Sequence, residues 1–279
     1  MTSYLKRMAK ELLRSTAPLS LRKRACVLMD RRGWFTPETR SWWTRELLRD
    51  FEARDRDAYH RFLWSNHLGY AQSYEAEIRF GAENMVGSRK MFFSELLILL
   101  ASMEMSADRI GSVFEVGCSL GYQLRHLETD LFPNADTLDG IDIDSHAIAM
   151  GSDFLKKAGS RVRLSCEDMS ALPRVLAGKK YDVVICTGVL MYLQEKEASR
   201  VVEALMEHCR LAAFSGLANH EHDNSLLECS GLRERDGTFI HNIDAMVAKA
   251  GGEVVARRWD GNATVEGQTI YFVFARPKQ

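Results

Sequence analysis

From Ser112 onward the chain changes hydrophobic period again and again. Short runs rich in β-branched and aromatic residues read as strands: Ser112–Gly117, Thr137–Asp142, Arg161–Ser165, Tyr181–Cys186, Leu211–Leu217, Glu253–Trp259 and Thr269–Ala275. Stretches with apolar residues three and four apart read as helices near 121–131, 145–158, 195–209 and 242–250. Strands alternating with helices predict an α/β fold, a mostly parallel sheet covered on both faces. Only Asp260 to Gly267 separates the last two strands, so these are expected to form an antiparallel hairpin at the sheet edge. Before residue 107 the pattern is helical alone, over Tyr4–Arg14, Leu19–Met29, Pro37–Ala53 and Ser88–Met105. Thr36 followed by Pro37 and Glu38 has the form of a helix start, with proline at the first helical position. The expected organisation is a helical cap or lid over 1–107 and an α/β domain over 108–279. There is no internal repeat and no low-complexity segment.

Composition narrows the partners. The 279 residues suffice for one domain with a substantial appendage. Thirty-seven Lys and Arg against 38 Asp and Glu leave a net charge of −1, which argues against nucleic acid as the partner. Charge is uneven, however: residues 1–33 carry Lys6, Arg7, Lys10, Arg14, Arg22, Lys23, Arg24, Arg31 and Arg32 against Glu11 and Asp30. Such a stretch is ordinarily a solvated helical face; its functional reading is contact with an anionic membrane, a polysaccharide phosphate or RNA. Cys26, Cys118, Cys166, Cys186, Cys209 and Cys229 form no C-x-x-C pair and are expected as free thiols in a reducing compartment, with no zinc site. The chain start lacks an apolar signal core, and the longest apolar run, Leu96–Ala101, is too short to span a bilayer. The expected location is cytoplasmic, where the sequon at Asn262-Ala263-Thr264 carries no meaning.

Four blocks carry candidate chemistry, each at the carboxyl end of an expected strand. The first is Glu115-Val116-Gly117-Cys118-Ser119-Leu120-Gly121, a strand, a glycine loop and a helix start. Its glycines allow a tight turn and close approach of a ligand to the backbone. The spacing differs from the G-x-G-x-x-G of nicotinamide sites, and Glu115 is placed to receive a cationic group. The second is Gly140-Ile141-Asp142-Ile143-Asp144. A carboxylate at Asp142 can accept hydrogen bonds from two ribose hydroxyls, Ile143 offers an apolar wall, and Asp144 is expected to cap the next helix. The third, Cys166-Glu167-Asp168-Met169, offers Asp168 as acceptor for an exocyclic amino group and Met169 for packing; Asp168 also fits a helix cap. The fourth is Tyr181 to Tyr192, a buried strand opening into a small-residue loop. There the carbonyls of Thr187 and Gly188 can hold a polar ligand tail, with Tyr192 near the reacting group.

In this order the blocks resemble those of the class I S-adenosylmethionine-dependent methyltransferases, over roughly residues 108–275. The resemblance implies a Rossmann-like seven-stranded sheet of order 3-2-1-4-5-7-6 with strand 7 antiparallel, and S-adenosyl-L-methionine as cofactor. It matches Glu115, Gly117 and Gly121 to the first motif, Asp142 to the ribose-binding acid, Asp168 to the adenine-contacting acid, and the Thr187–Gly188 segment to the loop after strand 4; Cys118, Ile143 as a wall for adenine, and Met169 are the neighbouring candidates. Ser119 departs from the pattern, since many relatives have a third glycine between the two.

The acceptor side is expected after the fifth strand. Ala218-Asn219-His220-Glu221-His222-Asp223-Asn224 leads through Arg233-Glu234-Arg235-Asp236 to Thr238-Phe239-Ile240-His241-Asn242. A long polar loop on a rigid scaffold is a usual place for function. His220 and His222 are the candidate general bases, His241 the third, and Tyr192 a further catalytic candidate; each single histidine here is also compatible with a surface or capping role. Arg233 and Arg235 can bind an anionic group. His220 with His222 has a metal-like spacing but no further clear ligand, so no metal is expected. Upstream, His60, Trp64, Asn66, His67, Tyr70, Tyr74 and Arg79 form a polar-aromatic cluster fit for a lid or for helix packing, and Trp34, Trp42 and Trp43 are expected to pack in the helical region. The expected activity is O- or N-methylation of a small-molecule or saccharide acceptor. The alternatives are an RNA or protein methyltransferase using the basic N-terminus, and a catalytically silent cofactor-binding scaffold.

Overall fold

The computed structural model describes residues 17–69, 79–81, 84–219, 221–259 and 270–278. Two compact units are present, Met1–Glu75 and Ala76–Gln279. The expected helix Tyr4–Arg14, and with it Tyr70, Tyr74, His220 and the sequon, lie outside the described residues.

The first unit holds α1 (Leu19–Arg31), α2 (Pro37–Arg54) and α3 (Arg56–Ser65). Their apolar faces meet around Cys26, Phe35, Leu47, Leu48, Phe51, Tyr59, Leu63 and Leu68. The expected start of α2 is present: the Thr36 amide donates to Thr39 Oγ1 at 3.1 Å. Asp55 caps α3 by accepting from the Ala58 amide at 3.0 Å. Arg22 is buried, and both of its terminal nitrogens donate to Asp50, at 2.5 and 2.7 Å. This forked pairing offsets the cost of removing a charge from water, and it draws the Asp50 carboxyl down to about 2. Two sequence expectations bear on this unit. Helix α3 occupies what reads as a polar-aromatic cluster, because Tyr59, His60 and Leu63 share its inward face. Trp34 and Trp42 are not packed in a core but exposed, by 64% and 53%.

The second unit is built on a sheet of order β3-β2-β1-β4-β5-β9-β8. Its strands are β1 (Ser112–Val116), β2 (Thr137–Asp142), β3 (Arg163–Cys166), β4 (Tyr181–Thr187), β5 (Cys209–Leu217), β8 (Gly252–Trp259) and β9 (Ile270–Pro277). Neighbours from β3 to β5 pair in parallel, and β9 runs antiparallel to both β5 and β8. This is the expected order, with the sixth and seventh sheet strands being β8 and β9. A separate hairpin, β6 (Gly231–Arg233) with β7 (Thr238–Ile240), lies within the loop after β5. Along β5, Ala212 and Phe214 enter one core while Leu211 and Ala213 enter the other, the period-two pattern of a sheet covered twice.

The helices of this unit are α4 (Ser88–Ser102), α5 (Tyr122–His126), α6 (Ser145–Lys157), α7 (Leu172–Val175), α8 (Glu195–Glu207) and α9 (Ile243–Lys249). Helix α4 belongs to the second unit, which begins at Ala76, whereas the expected domains are 1–107 and 108–279. Phe92 of α4 stands 5.3 Å from the Phe272 ring and 5.4 Å from Phe274, and Glu95 pairs with Arg258 of β8. A helical period reveals an apolar stripe but not the core that it joins. Among the described residues no helix is long and apolar enough to cross a membrane. All six cysteines are free; Cys166 and Cys229 are exposed and the others buried.

Candidate active site

The carboxyl ends of β1, β2 and β4 meet at one edge of the sheet, and the loop after β1 is wound tightly there. Gly117, Ser119 and Gly121 all have left-handed backbone, with φ of 74°, 54° and 81°. A Cβ on Gly117 would stand 2.1 Å from Val189 Cγ2, so the site needs glycine for space as well as for conformation. Ser119 has no such freedom and pays about 1 kcal/mol for its left-handed turn. Its amide donates to Asp142 Oδ2 at 2.8 Å, which holds the turn in place. The amides of Gly117 and Cys118 donate to the Ile141 carbonyl at 2.8 and 3.1 Å. Cys118 is buried, and its side chain lies where a Cβ on Gly140 would fall.

The carboxylates have distinct surroundings. Glu115 has no exposed surface. Its Oε1 accepts from Gln123 Nε2 at 2.8 Å, while its buried Oε2 has no hydrogen-bond partner. Burial, with Asp142 nearby, pushes the Glu115 carboxyl well above the ordinary range. Gln123 also donates to Thr187 Oγ1 at 3.0 Å and so ties the ends of β1 and β4 together. Asp142 Oδ1 accepts from the Asp144 amide at 2.9 Å. Burial raises the Asp142 carboxyl, and the backbone donors from Asp144 and Ser119 oppose the rise. Ile143 beside it is half-buried. Asp144 caps α6 as expected, accepting from the His146 and Ala147 amides at 2.9 and 3.1 Å. Half-buried Asp168 caps the short turn Met169–Ala171 through the Ser170 amide at 2.8 Å, and Met169 packs against the core. Gly188, with φ of 67°, donates its amide to Ser215 Oγ at 3.1 Å.

Sequence reading missed Gln123, Ser215 and Tyr122. Gln123 lies two residues past Gly121, and its placement in the first turn after the glycine loop was the available signal. Half-buried Tyr122 has Arg89 Cζ at 5.4 Å from its ring centroid, and Arg89 Nη1 is held by the Asn84 carbonyl and Oδ1 at 3.0 Å each. Arg89 and Arg79 both bias the Tyr122 phenol toward ionisation against the larger effect of burial.

On the expected acceptor side, the candidate residues separate. Burial, with Asp236 nearby, raises the Tyr192 phenol, so at neutral pH it is a hydrogen-bond donor. His222 is exposed, with Nε2 3.9 Å from Glu221 Oε2, and Asn219 Oδ1 accepts from the amides of Glu221 and His222 at 2.8 and 3.2 Å. Arg233 is turned inward, its Nε and Nη2 donating to Asp236 at 3.0 and 2.6 Å; Arg235 is exposed. Among the described residues no three His, Cys, Asp or Glu side chains gather as metal ligands.

His241 departs from the expectation of a base. It is buried, with Nε2 2.9 Å from the Leu190 carbonyl and Nδ1 2.7 Å from Ser230 Oγ. A carbonyl only accepts, so Nε2 carries the proton and Nδ1 accepts from Ser230. Both nitrogens are thereby engaged, and burial lowers the imidazole pKa. The ring instead ties the loop after β4 to the loop after β5. His241→Ala is expected to cost about 1 to 3 kcal/mol of stability by removing both ring hydrogen bonds, to the Leu190 carbonyl and to Ser230 Oγ, together with a buried ring. Denaturant titration checks this. The contribution should be complete above the ordinary histidine value of 6.5 and fall away below it, because the unfolded chain protonates first.

A family model described as a methyltransferase domain matches residues 113–211. Among solved structures, the magnesium protoporphyrin IX methyltransferase of Synechocystis PCC 6803 with bound SAH aligns at TM-score 0.55 and 17% identity, covering 80% of this chain and 100% of that one. A S-adenosylmethionine-dependent methyltransferase of Clostridium acetobutylicum aligns at TM-score 0.52 and 11% identity, covering 73% and 98%. The cyclase SpnF aligns at TM-score 0.52 and 17% identity, covering 66% and 80%. At such identities the likeness is one of fold. No curated protein matches the sequence at a significant level.

Proposed function

We propose that this chain, a class I S-adenosylmethionine-dependent methyltransferase, methylates a hydroxyl or amine of a small molecule or saccharide. Bound S-adenosylmethionine supplies a sulfonium methyl already activated for displacement. Buried Glu115 Oε2, which has no hydrogen-bond partner among the described residues, is suited to the methionyl ammonium. In this reading Gly117, Cys118 and Gly121 present backbone at the methionyl end, with Thr187 and Gly188 opposite. Asp142 takes the ribose hydroxyls beside Ile143, and Asp168 with Met169 takes the adenine.

The observation that carries the acceptor reading is the β6–β7 hairpin, anchored to the loop after β4 by His241. A preformed wall suits a compact acceptor held in one pose. Tyr192 orients it as a donor, and a histidine of the loop after β5, His220 or His222, takes its proton. Transfer of labelled methyl to a panel of sugars, phenols and amines, beside RNA and protein, tests this. Label in a small molecule with little salt dependence is expected; label in RNA that falls steeply with salt overturns it.

Glu115 gives the cofactor site its own test. The free protein holds this carboxyl protonated above the usual 4.5, whereas an adjacent ammonium favours the ionised form. Binding should therefore release a proton, and affinity should rise with pH from 4.5 toward the raised value. Calorimetric titration with S-adenosylhomocysteine in buffers of different ionisation enthalpy should show a slope. Glu115→Gln should remove that slope and weaken binding. A flat response in the native protein means that Glu115 is ionised before binding, and native affinity in Glu115→Gln overturns the assignment.

A further inference from the structure

The first unit sorts its cations. Arg22 turns inward to Asp50, and Lys23 Nζ lies 3.7 Å from the Phe51 ring centroid. Arg24, Arg31 and Arg32 remain exposed. Residues 21, 24, 28 and 31 fall within about 80° of one another around a helix of 3.6 residues per turn. One face of α1 thus presents Leu21, Arg24, Leu28 and Arg31 together. Leu21 is 53% exposed and Leu28 49%. Trp34, 64% exposed, extends this end of the helix: its amide donates to the Met29 carbonyl at 2.9 Å, and Arg32 Cζ stands 5.9 Å from its ring. Asp30, the single acid of α1, lies on the other side and is bound to Arg40 at 2.5 Å.

We propose that this face docks on the surface of an anionic phospholipid bilayer. A merely solvated face explains the arginines but not two half-exposed leucines and an exposed indole among them. Leucines enter the acyl boundary, an indole sits at headgroup depth, and arginines pair with lipid phosphate and carboxylate groups. RNA would satisfy the arginines and stack on Trp34, but it offers nothing to Leu21 and Leu28, so the lipid surface is the better match.

The test is flotation of the full chain with vesicles of phosphatidylcholine, with and without phosphatidylserine. Binding is expected only with phosphatidylserine and should weaken with salt. Replacing Arg24, Arg31 and Arg32 together by serine should lower partitioning about a hundredfold, at roughly fivefold per cation. Leu28→Ser with Trp34→Ser should also lower it, whereas an inorganic phosphate site would ignore this pair. Native helix content by circular dichroism and a native thermal midpoint in each variant establish that the first unit is intact. Failure of the native chain to float with phosphatidylserine overturns the proposal, as does equal flotation of the variants or retention by RNA with none by vesicles.

Discussion

Gly151→Ala should destabilise the second unit and disable its cofactor loop, although alanine is ordinarily the better helix former by about 1 kcal/mol. Gly151 lies within α6, where a Cβ would stand 2.2 Å from the Leu120 carbonyl oxygen and 2.7 Å from its Cα. No rotamer relieves a contact with backbone, so α6 and the loop after β1 must separate. Overpacking costs about 1 to 3 kcal/mol when side chains can give way, and here they cannot. The net loss is expected near 2 kcal/mol or above, a fall of about 4 to 8 °C in melting temperature for a unit of this size. Leu120 precedes Gly121 and follows Ser119, so the shift passes straight to the turn held by Asp142. Thermal unfolding with and without S-adenosylhomocysteine checks both parts: a lower midpoint, and a smaller gain on adding ligand. A native-like midpoint would mean that α6 moves away at little cost.

That contact also shows what a sequence leaves unsaid. The positions of Asp142 and Glu115 at the sheet edge were legible because each stands at a fixed place on a strand whose period identifies it. The glycine loop was legible by the same means, and the strand order came with the family resemblance once four blocks stood in sequence. Gly151 carries no such mark: a glycine within a helical pattern lowers helix propensity wherever it falls, and its reason is a carbonyl 31 positions earlier. The role of His241 was illegible for a similar reason. A histidine in a polar loop looks available until the Leu190 carbonyl, 51 residues upstream, is found on its Nε2. The β6–β7 hairpin escaped notice because three-residue strands are too short to show a period. Helix α4 was legible as a helix, but not the core it joins, since Phe92 meets Phe272 across 180 positions. Local pattern reports local structure, and partners distant in sequence need the fold.

Asp142→Ala should weaken S-adenosylmethionine binding by about a hundredfold, because the carboxylate is asked to do two things. Its Oδ2 fixes the Ser119 amide at 2.8 Å and its Oδ1 fixes the Asp144 amide at 2.9 Å. Each oxygen keeps a second acceptor site, and those sites are what two ribose hydroxyls need. Losing charge-assisted hydrogen bonds to the ligand is worth about 1.5 to 3 kcal/mol, between tenfold and 150-fold in affinity. Losing the Ser119 contact adds to this, because the left-handed turn at φ 54° then loses one of the hydrogen bonds that hold it. Asp142→Asn separates the two roles. Its carbonyl oxygen can keep one backbone amide, but its NH2 group repels the other, so the loop is partly restored while the pair of ribose acceptors is not. If ribose recognition dominates, both variants should lose similar affinity, whereas Asp142→Asn should unfold nearer to the native midpoint than Asp142→Ala. If loop support dominates, affinity should follow stability through the series. Calorimetry with S-adenosylmethionine beside thermal unfolding distinguishes the two, and native affinity in Asp142→Ala would remove Asp142 from the cofactor site altogether.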